Sequence, residues 1–247
     1  MKAHTRIVAT AGAGGATVLA ELRGEAPLLP RVTGARGGPV ATVHLVGGAA
    51  GPLGGDELFL DLEVGPGACL VLRTVAATVA LPGRDSEPST TTVRASVAAG
   101  GRLAFLPEPM VAAAGCHHRQ LSTVEVAEGG HLVWREELVG GRHGERPGRV
   151  RQEIRLRYAG APVLAQDLVL TPDQWASPAV LGGDRTVGSI VVIGPGAPPG
   201  PTMVVGNAVR MPLGGPVVLC SAVAADIPAL RHGLDTLMPR GWLTDPA

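Results

Sequence analysis

Three groups of residues in this 247-residue chain have types and spacings that could do chemistry. The first is Cys116-His117-His118, a soft sulfur beside two imidazoles, the best metal-ligand constellation in the sequence. Adjacent residues on a strand point to opposite faces, so His117 and His118 share one ion only if the backbone turns there. The second group is a scatter of acids: Asp56, Glu108, Glu136, Glu137 and Glu145. Two of them facing each other would form the acid pair of a glycosidase. Asp56 follows Gly54-Gly55, where the backbone can turn sharply and aim a carboxylate inward. The alternative is a turn residue whose side chain bonds nearby backbone N–H groups. Glu108 stands between Pro107 and Pro109, which force extended backbone and so fix its direction. The third group is Arg149, Arg151, Arg155 and Arg157, which share one face of an alternating stretch with Glu153. Such a face is solvated or, on an edge strand, docks an acidic partner and deters edge-to-edge aggregation.

Other chemistries lack their motifs. The sequence has no G-x-S-x-G, no H-E-x-x-H and no zinc-finger cysteine spacing. No glycine is followed by lysine, which excludes a Walker A loop. IVATAGAGGATVLAEL near the start has Thr17 where a dinucleotide fingerprint needs its third glycine, and a glycine-rich first hairpin fits it better. Net charge is zero and aromatics are 2%, which argues against nucleic acid and anionic membrane as partners. Three dispersed cysteines, in no C-x-x-C pair, point to a reducing compartment. No signal-peptide pattern is evident, and the longest uncharged run, Thr186 to Val209, is broken by four prolines. A soluble, cytoplasmic protein is expected.

The elements that must position these residues are strands. In the stretch from Gly51 to Thr74, Leu58, Leu60, Leu62 and Val64 alternate with Glu57, Phe59, Asp61 and Glu63, the pattern of a half-buried strand. Gly65-Pro66-Gly67 stops it and a second strand follows. The unit recurs as VGPGACLVLRT, VAAGGRLAFLPEP, VAEGGHLVWREEL and, loosely, YAGAPVLAQDL, at intervals of roughly 30 residues. The expectation is a single domain over residues 1–247. It is mainly β, with a layered or solenoid-like antiparallel or mixed architecture and one or two short helices. Strands are expected over Asp56 to Val79, Thr90 to Leu106, Leu121 to Leu138 and Val150 to Leu170. Helices are expected over Asp173 to Leu181 and, more strongly, Asp226 to Leu237, where Asp226 can cap.

Several of these stretches also carry a resemblance. They are Gly54-Gly55-Asp56 with its alternating leucines, the VGPGA turn, and the T-x-A-A-T strand (Thr74, Ala76, Ala77, Thr78). They continue with LAFLPEP (Leu103 to Pro109), G-R-x-x-G-E (Gly141, Arg142, Gly144, Glu145) and PRGWLT (Pro239 to Thr244). In this order, from Gly47 to Thr244, they resemble the urease accessory protein D family. The resemblance implies a non-catalytic scaffold that binds apo-urease together with the helical F accessory protein. That pair recruits the nickel-carrying G GTPase, with room for a dimer within the complex. It implies no tightly bound cofactor, and nickel in transit through an interior channel. Asp56, Glu108 and Glu145 are then candidates for the nickel path. Arg149, Arg151, Arg155, Arg157 and Trp242 are candidates for partner binding. Val75 and Val79 depart from the polar and basic residues expected in the T-x-A-A-T strand. Two readings compete. One is a β-solenoid polysaccharide hydrolase with an acid pair in a groove. The other is a free-standing nickel metallochaperone using Cys116, His117 and His118.

With mean hydropathy +0.25 and only 17% charged residues, the isolated chain is expected to aggregate when surfaces that face partners are left bare. Sedimentation of the purified chain checks this, and a single stable species at high concentration would contradict it.

Overall fold

The computed structural model describes residues 1–84, 87–194 and 200–238. The chain opens with β1 (Lys2–Ala11), β2 (Thr17–Arg23), β3 (Leu28–Val32) and β4 (Ala41–Gly47). The repeating units follow as β5 (Glu57–Val64), β6 (Cys69–Thr74), β7 (Thr78–Ala80), β8 (Ser89–Val97), β9 (Arg102–Leu106), β10 (Met110–Ala112), β11 (His117–Val126) and β12 (His131–Gly140). Then come β13 (Arg149–Tyr158), β14 (Ala161–Leu170), β15 (Thr186–Ile193), β16 (Met203–Val205), β17 (Ala208–Gly214), β18 (Val217–Ala224) and the helix α1 (Ile227–Leu237).

These strands form two facing sheets. The first has the order β14-β13-β11-β8-β5-β1-β2, and the second β16-β17-β18-β15-β12-β9-β6-β4-β3. From β4 to β12 the chain passes back and forth between the sheets, with the short β7 and β10 staying on the second, and β4, β5, β6, β8 and β9 each pair in parallel with the equivalent strand one unit on. This is a two-sheet β-solenoid, mainly β as the alternation and the repeat lead one to expect. Antiparallel strands close it: β2 and β14 on the first sheet, β3 and the β15–β18 meander on the second. The middle of the second sheet is buried on both faces, by the first sheet on one side and by a second core that includes α1 on the other. The continuous apolar run Leu103–Leu106 follows from that. The first sheet keeps an outer face of Lys2, Arg6, Glu63, Arg94 and Asp61, linked by ion pairs.

Where the units turn, the chain stacks corner on corner. Ala98 N–H donates to Val64 O, Ala127 N–H to Val97 O, and Gly100 N–H to Gly129 O. A Cβ on Gly101 would stand 2.8 Å from Gly65 O and 3.0 Å from Ala98 O, so only glycine lets the corners nest.

Three expectations need correction. YAGAPVL is not a further corner: it is the turn of an antiparallel hairpin, β13–β14, within one sheet. Consequently the arginine strand β13 is not an edge, because β14 covers it. Residues 173–181 are turns rather than helix, since Pro178 has no N–H to give and holds Ser177 out of helical backbone. The C-terminal helix forms as expected, with Asp226 accepting from Ala229 N–H at 2.8 Å. No helix among the described residues is long and apolar enough to cross a membrane. The outermost strand of the second sheet among the described residues, β16, exposes Met203, Val204 and Val205.

Replacing Gly101 with alanine forces a side chain into backbone that cannot retreat. It is expected to lower unfolding free energy by roughly 1–3 kcal/mol. Urea denaturation of the variant against the parent chain checks this.

Candidate functional site

The space between the sheets is apolar near the glycine corners, where Leu62, Val97, Val126, Leu70 and Leu132 meet. Phe105 and Trp134 stack there with ring centroids 4.0 Å apart. Towards the other end the inward-facing positions turn polar. On the first sheet, Gln120 of β11 lies in register with Thr91 of β8 and Gln152 of β13. His118 lies beside Ser89 in the next row. From the second sheet Glu136 reaches across to them. Thr91, His118, Gln120, Gln152 and Glu136 line one interior cavity of about 350 Å³.

Glu136 is almost completely buried, which raises the pKa of its carboxyl. Hydrogen bonds oppose that shift: Trp134 Nε1 donates at 3.0 Å, Ser122 Oγ at 2.7 Å and Gln120 Nε2 at 3.2 Å. His118 Nδ1 lies 2.9 Å from Ser89 Oγ. Burial, helped by the nearby His117, lowers its pKa to about 4, so the ring is neutral at neutral pH.

The cavity leaves the sandwich through a gap in the second sheet. There β9 ends at Leu106 and β10 begins at Met110, while β6 ends at Thr74 and β7 begins at Thr78. β12 pairs with β9 as far as Trp134 and with β10 only from Leu138. Between them the T-x-A-A-T and L-P-E-P segments bow out and line the opening with Glu108 and Glu137. Glu108 N–H donates to Thr74 Oγ1 at 2.9 Å, which ties the two segments together. Val75, Ala76 and Ala77 are exposed at the rim.

Beside the opening sits an ion network. Arg231 of α1 holds Glu137 with Nε at 2.9 Å and Nη2 at 2.7 Å, and reaches Glu108 with Nη2 at 3.0 Å. Arg135 Nε lies 3.6 Å from Glu137 and makes no hydrogen bond, while its Nη2 donates to Pro107 O at 3.0 Å. Two guanidiniums thus balance two carboxylates. Hydrogen bonds to Glu137 raise the Arg231 pKa, whereas burial lowers that of Arg135.

Of the three acids expected on the nickel path, Asp56, Glu108 and Glu145, Glu108 alone lines the cavity. Asp56 is buried beside it as a turn clamp. It accepts from Leu53 N–H at 2.8 Å and lies 2.7 Å from the Met1 amino group, while Gly51 and Pro52 of the same turn line the cavity. Glu145 lies elsewhere and fastens its own loop. It accepts from Arg142 Nε at 2.8 Å, Arg142 N–H at 3.1 Å and Ala114 N–H at 3.3 Å. The Arg142 guanidinium holds its pKa down at about 2. Cys116, His117 and His118 do not converge. Cys116 is buried in a separate apolar cluster, where burial pushes the thiol to about 11. His118 faces the cavity and His117 the opposite side of β11, as strand alternation requires. No three His, Cys, Asp or Glu side chains are placed to hold a metal ion among the described residues. Glu136 and Glu137 stand back to back on β12, one inward and one towards α1, which rules them out as a glycosidase pair.

The arginine face is partly spoken for. Arg151 pairs with Asp167 of β14 at 2.7 Å, Arg155 with Glu153 at 2.7 Å, and Arg157 with Gly160 O, while Arg149 is exposed. Trp242 lies outside the described residues. Residue-by-residue reading missed His118 as a cavity residue, along with Gln120, Gln152 and Arg231. The available signal was polar residues, Thr91, Gln120 and Gln152, at inward positions of otherwise apolar strands.

Comparison with known proteins places one family along nearly the whole chain. The family described as UreD urease accessory protein matches residues 1–243. A urease accessory protein UreD of Parafrankia sp. is 45% identical, over 94% of this chain and 87% of the relative. One from Frankia alni is 43% identical, over 96% and 92%. One from Streptomyces coelicolor is 41% identical, over 95% and 94%.

The buried imidazole makes stability depend on acid. His118 stays neutral in the folded chain down to about pH 4, while in the unfolded chain it takes a proton below about pH 6.5. Its contribution is therefore whole above pH 6.5 and is lost as pH falls towards 4. A His118→Gln variant is expected to lose less stability between pH 7 and pH 4.5 than the parent, by on the order of 2 kcal/mol. Urea midpoints at the two pH values measure the difference.

Proposed function

The chain belongs to the UreD urease accessory protein family, and on that premise we propose that it is a non-catalytic scaffold of urease maturation whose interior carries nickel. In this reading it binds apo-urease together with the helical F accessory protein. The G GTPase brings nickel to that assembly, and the cation moves through the cavity between the two sheets. One observation carries the reading: a cavity between the sheets into whose mainly apolar wall Thr91, His118, Gln120, Gln152 and Glu136 set polar groups. Packing alone would fill that space with hydrocarbon, since polar groups inside a protein cost free energy unless they are bonded. Carboxylate, amide and imidazole groups also suit a cation that must be released. Thiolates would hold it harder, and none of the three cysteines lines the cavity.

Glu108 and Asp56 enter this reading differently. Glu108 stands at the opening, in contact with Arg231 and the Thr74 loop, so it guards the way in. Asp56 shapes the turn whose Gly51 and Pro52 form part of the cavity wall, so it acts on the path through the backbone. Glu145 has no place on this path. The exposed Arg149 and the paired arginines beside it remain a docking surface for an acidic partner, at the outer face of the first sheet.

Two variants separate the roles. Glu108→Gln keeps the size of the side chain and removes its charge. It is expected to assemble with the F and G proteins and apo-urease, yet to yield urease with several-fold less nickel at limiting supply. Asp56→Asn is expected to weaken the turn and lower both assembly and nickel content. Pull-down and metal analysis of the matured urease decide the matter. Wild-type nickel content from the Glu108 variant would remove this residue from the path.

A further inference from the structure

Positive charge is unevenly shared in this chain. Residues 26–55 and 64–84 contain no aspartate or glutamate, yet they carry four arginines, Arg31 and Arg73 among them. These stretches build β3, β4 and β6, the far half of the second sheet. Arg31 lies in register with His44, and His44 with Arg73. Their strand neighbours Pro30, Val43, Leu45 and Leu72 are buried towards the first sheet, so alternation turns Arg31, His44 and Arg73 to the outer face. The row ends at the opening, where Arg73 stands in register with Leu106 and the Leu106 carbonyl accepts from Arg135 Nη2.

This row has no carboxylate of its own. Arg31 donates to Pro30 O, and neither Arg31 nor Arg73 makes an ion pair among the described residues. The acids at the opening, Glu108 and Glu137, are held by Arg231. Arg135 feels the surplus: burial first, then the charges of Arg231 and Arg73, lower its pKa. The first sheet differs, since Arg151 and Arg155 are already paired with Asp167 and Glu153. An apolar rim adjoins the row. Val75 is 55% exposed, Ala76 and Ala77 are exposed beside it, and Val75 N–H donates to Leu45 O of β4.

We propose that this row docks a partner protein through an acidic helix laid across β3, β4 and β6, beside the opening. Arg31 and Arg73 stand two strands apart, about 10 Å. Two helical turns advance about 11 Å, so glutamates two turns apart on one helix meet both arginines. An apolar residue on the flank of that helix covers Val75. An extended segment fits worse, because its same-face side chains recur about every 7 Å. Nucleic acid also fits worse, because β3, β4 and β6 hold no Phe, Tyr or Trp on which bases could stack. Helix already packs on this sheet where α1 lies over β15, β17 and β18, and the docked helix extends that layer across the other half. The proposal goes beyond the maturation reading and does not rest on it, since charge and spacing alone carry it.

The test uses the full-length chain alone. The probe is a fluorescein-labelled, alanine-rich helical peptide with glutamates two turns apart and a photoreactive benzophenone side chain on its flank. A twin peptide carries glutamine in their place. Fluorescence anisotropy is expected to show the acidic peptide binding at least tenfold more tightly than its twin, and less tightly as salt rises. Irradiation is expected to cross-link it to residues 75–77. Arg31→Glu with Arg73→Glu is expected to weaken binding at least tenfold. Lys2→Glu with Arg94→Glu, the same change of charge on the first sheet, is expected to stay within twofold of the parent. Equal binding of the two peptides, equal binding by the Arg31 and Arg73 variant, cross-links confined to the first sheet, or tighter binding of a single-stranded oligonucleotide overturns the proposal. If the reversed variant does not fold, Arg31→Gln with Arg73→Gln and the wild-type cross-link map still decide. No urease is present, so failure here leaves the maturation role standing, and failure of that role is read separately in the pull-downs.

Discussion

The constraint on which this molecule depends is the parallel ladder. Each strand of a unit lies beside the equivalent strand of the next, in register, so side chains on the inner face form rows that run across the sheet. A polar residue in such a row must find a bonding partner, as Ser122, between Val93 and Ile154, finds Glu136 across the sandwich. Val64 and Val97 share one such row with Val126, and it is dry. Thr91, Gln120 and Gln152 share another, which begins at Leu58 and turns polar. The cavity follows from the ladder: it lies where these polar positions meet Glu136 from the opposite sheet. The position of the glycine corners sets the register, and the register sets where the polar positions fall.

Much of this was legible in the sequence. Leu58, Leu60, Leu62 and Val64 alternate because one face of β5 is buried and the other solvated, and the recurring glycine corners declare a stack of like units. Local pattern could not say which units continue the stack and which reverse. Tyr158 to Leu164 reads like the earlier corners, yet the chain turns back there as a hairpin. The difference lies in tertiary pairing, which no short window contains. The site was less legible for a related reason. Glu136 and Glu137 are neighbours in sequence but belong to different surroundings. One meets Ser122 and Gln120 across the sandwich, and the other meets Arg231 from a helix that is sequence-distant. Glu145 was legible as part of a motif, but the motif serves a loop: its carboxylate bonds the backbone of Arg142 and Ala114.

The opening in the second sheet illustrates how a break in regular structure is held in place. Prolines at 107 and 109 cannot continue a ladder, and the segment from Val75 to Ala77 bows out beside them. Backbone groups freed by the gap find other partners. Thr74 Oγ1 takes Glu108 N–H, Pro109 O takes Thr78 N–H, and Arg135 takes the carbonyls of Leu106 and Pro107. Arg135 therefore does two jobs: it satisfies the broken strand and adds its charge beside the acids that Arg231 holds. Taking away one member of so buried a pair leaves a charge without its counterion, which is far more costly than never having had the pair.

That network has a consequence for how the protein comes into being. Arg231 lies 94 residues after Glu137 and 123 after Glu108. During synthesis, at roughly 5–20 residues per second, the two acids and Arg135 leave the ribosome seconds before the guanidinium that completes them. The solenoid units, by contrast, need only their immediate predecessors and can zip together as they emerge. The nascent chain thus passes through an interval in which its coils are formed, its helix side is bare and the opening lacks its last charge. A companion protein that meets the chain in that interval finds a different molecule from the finished one, and the order in which subunits are made can matter as much as their affinity.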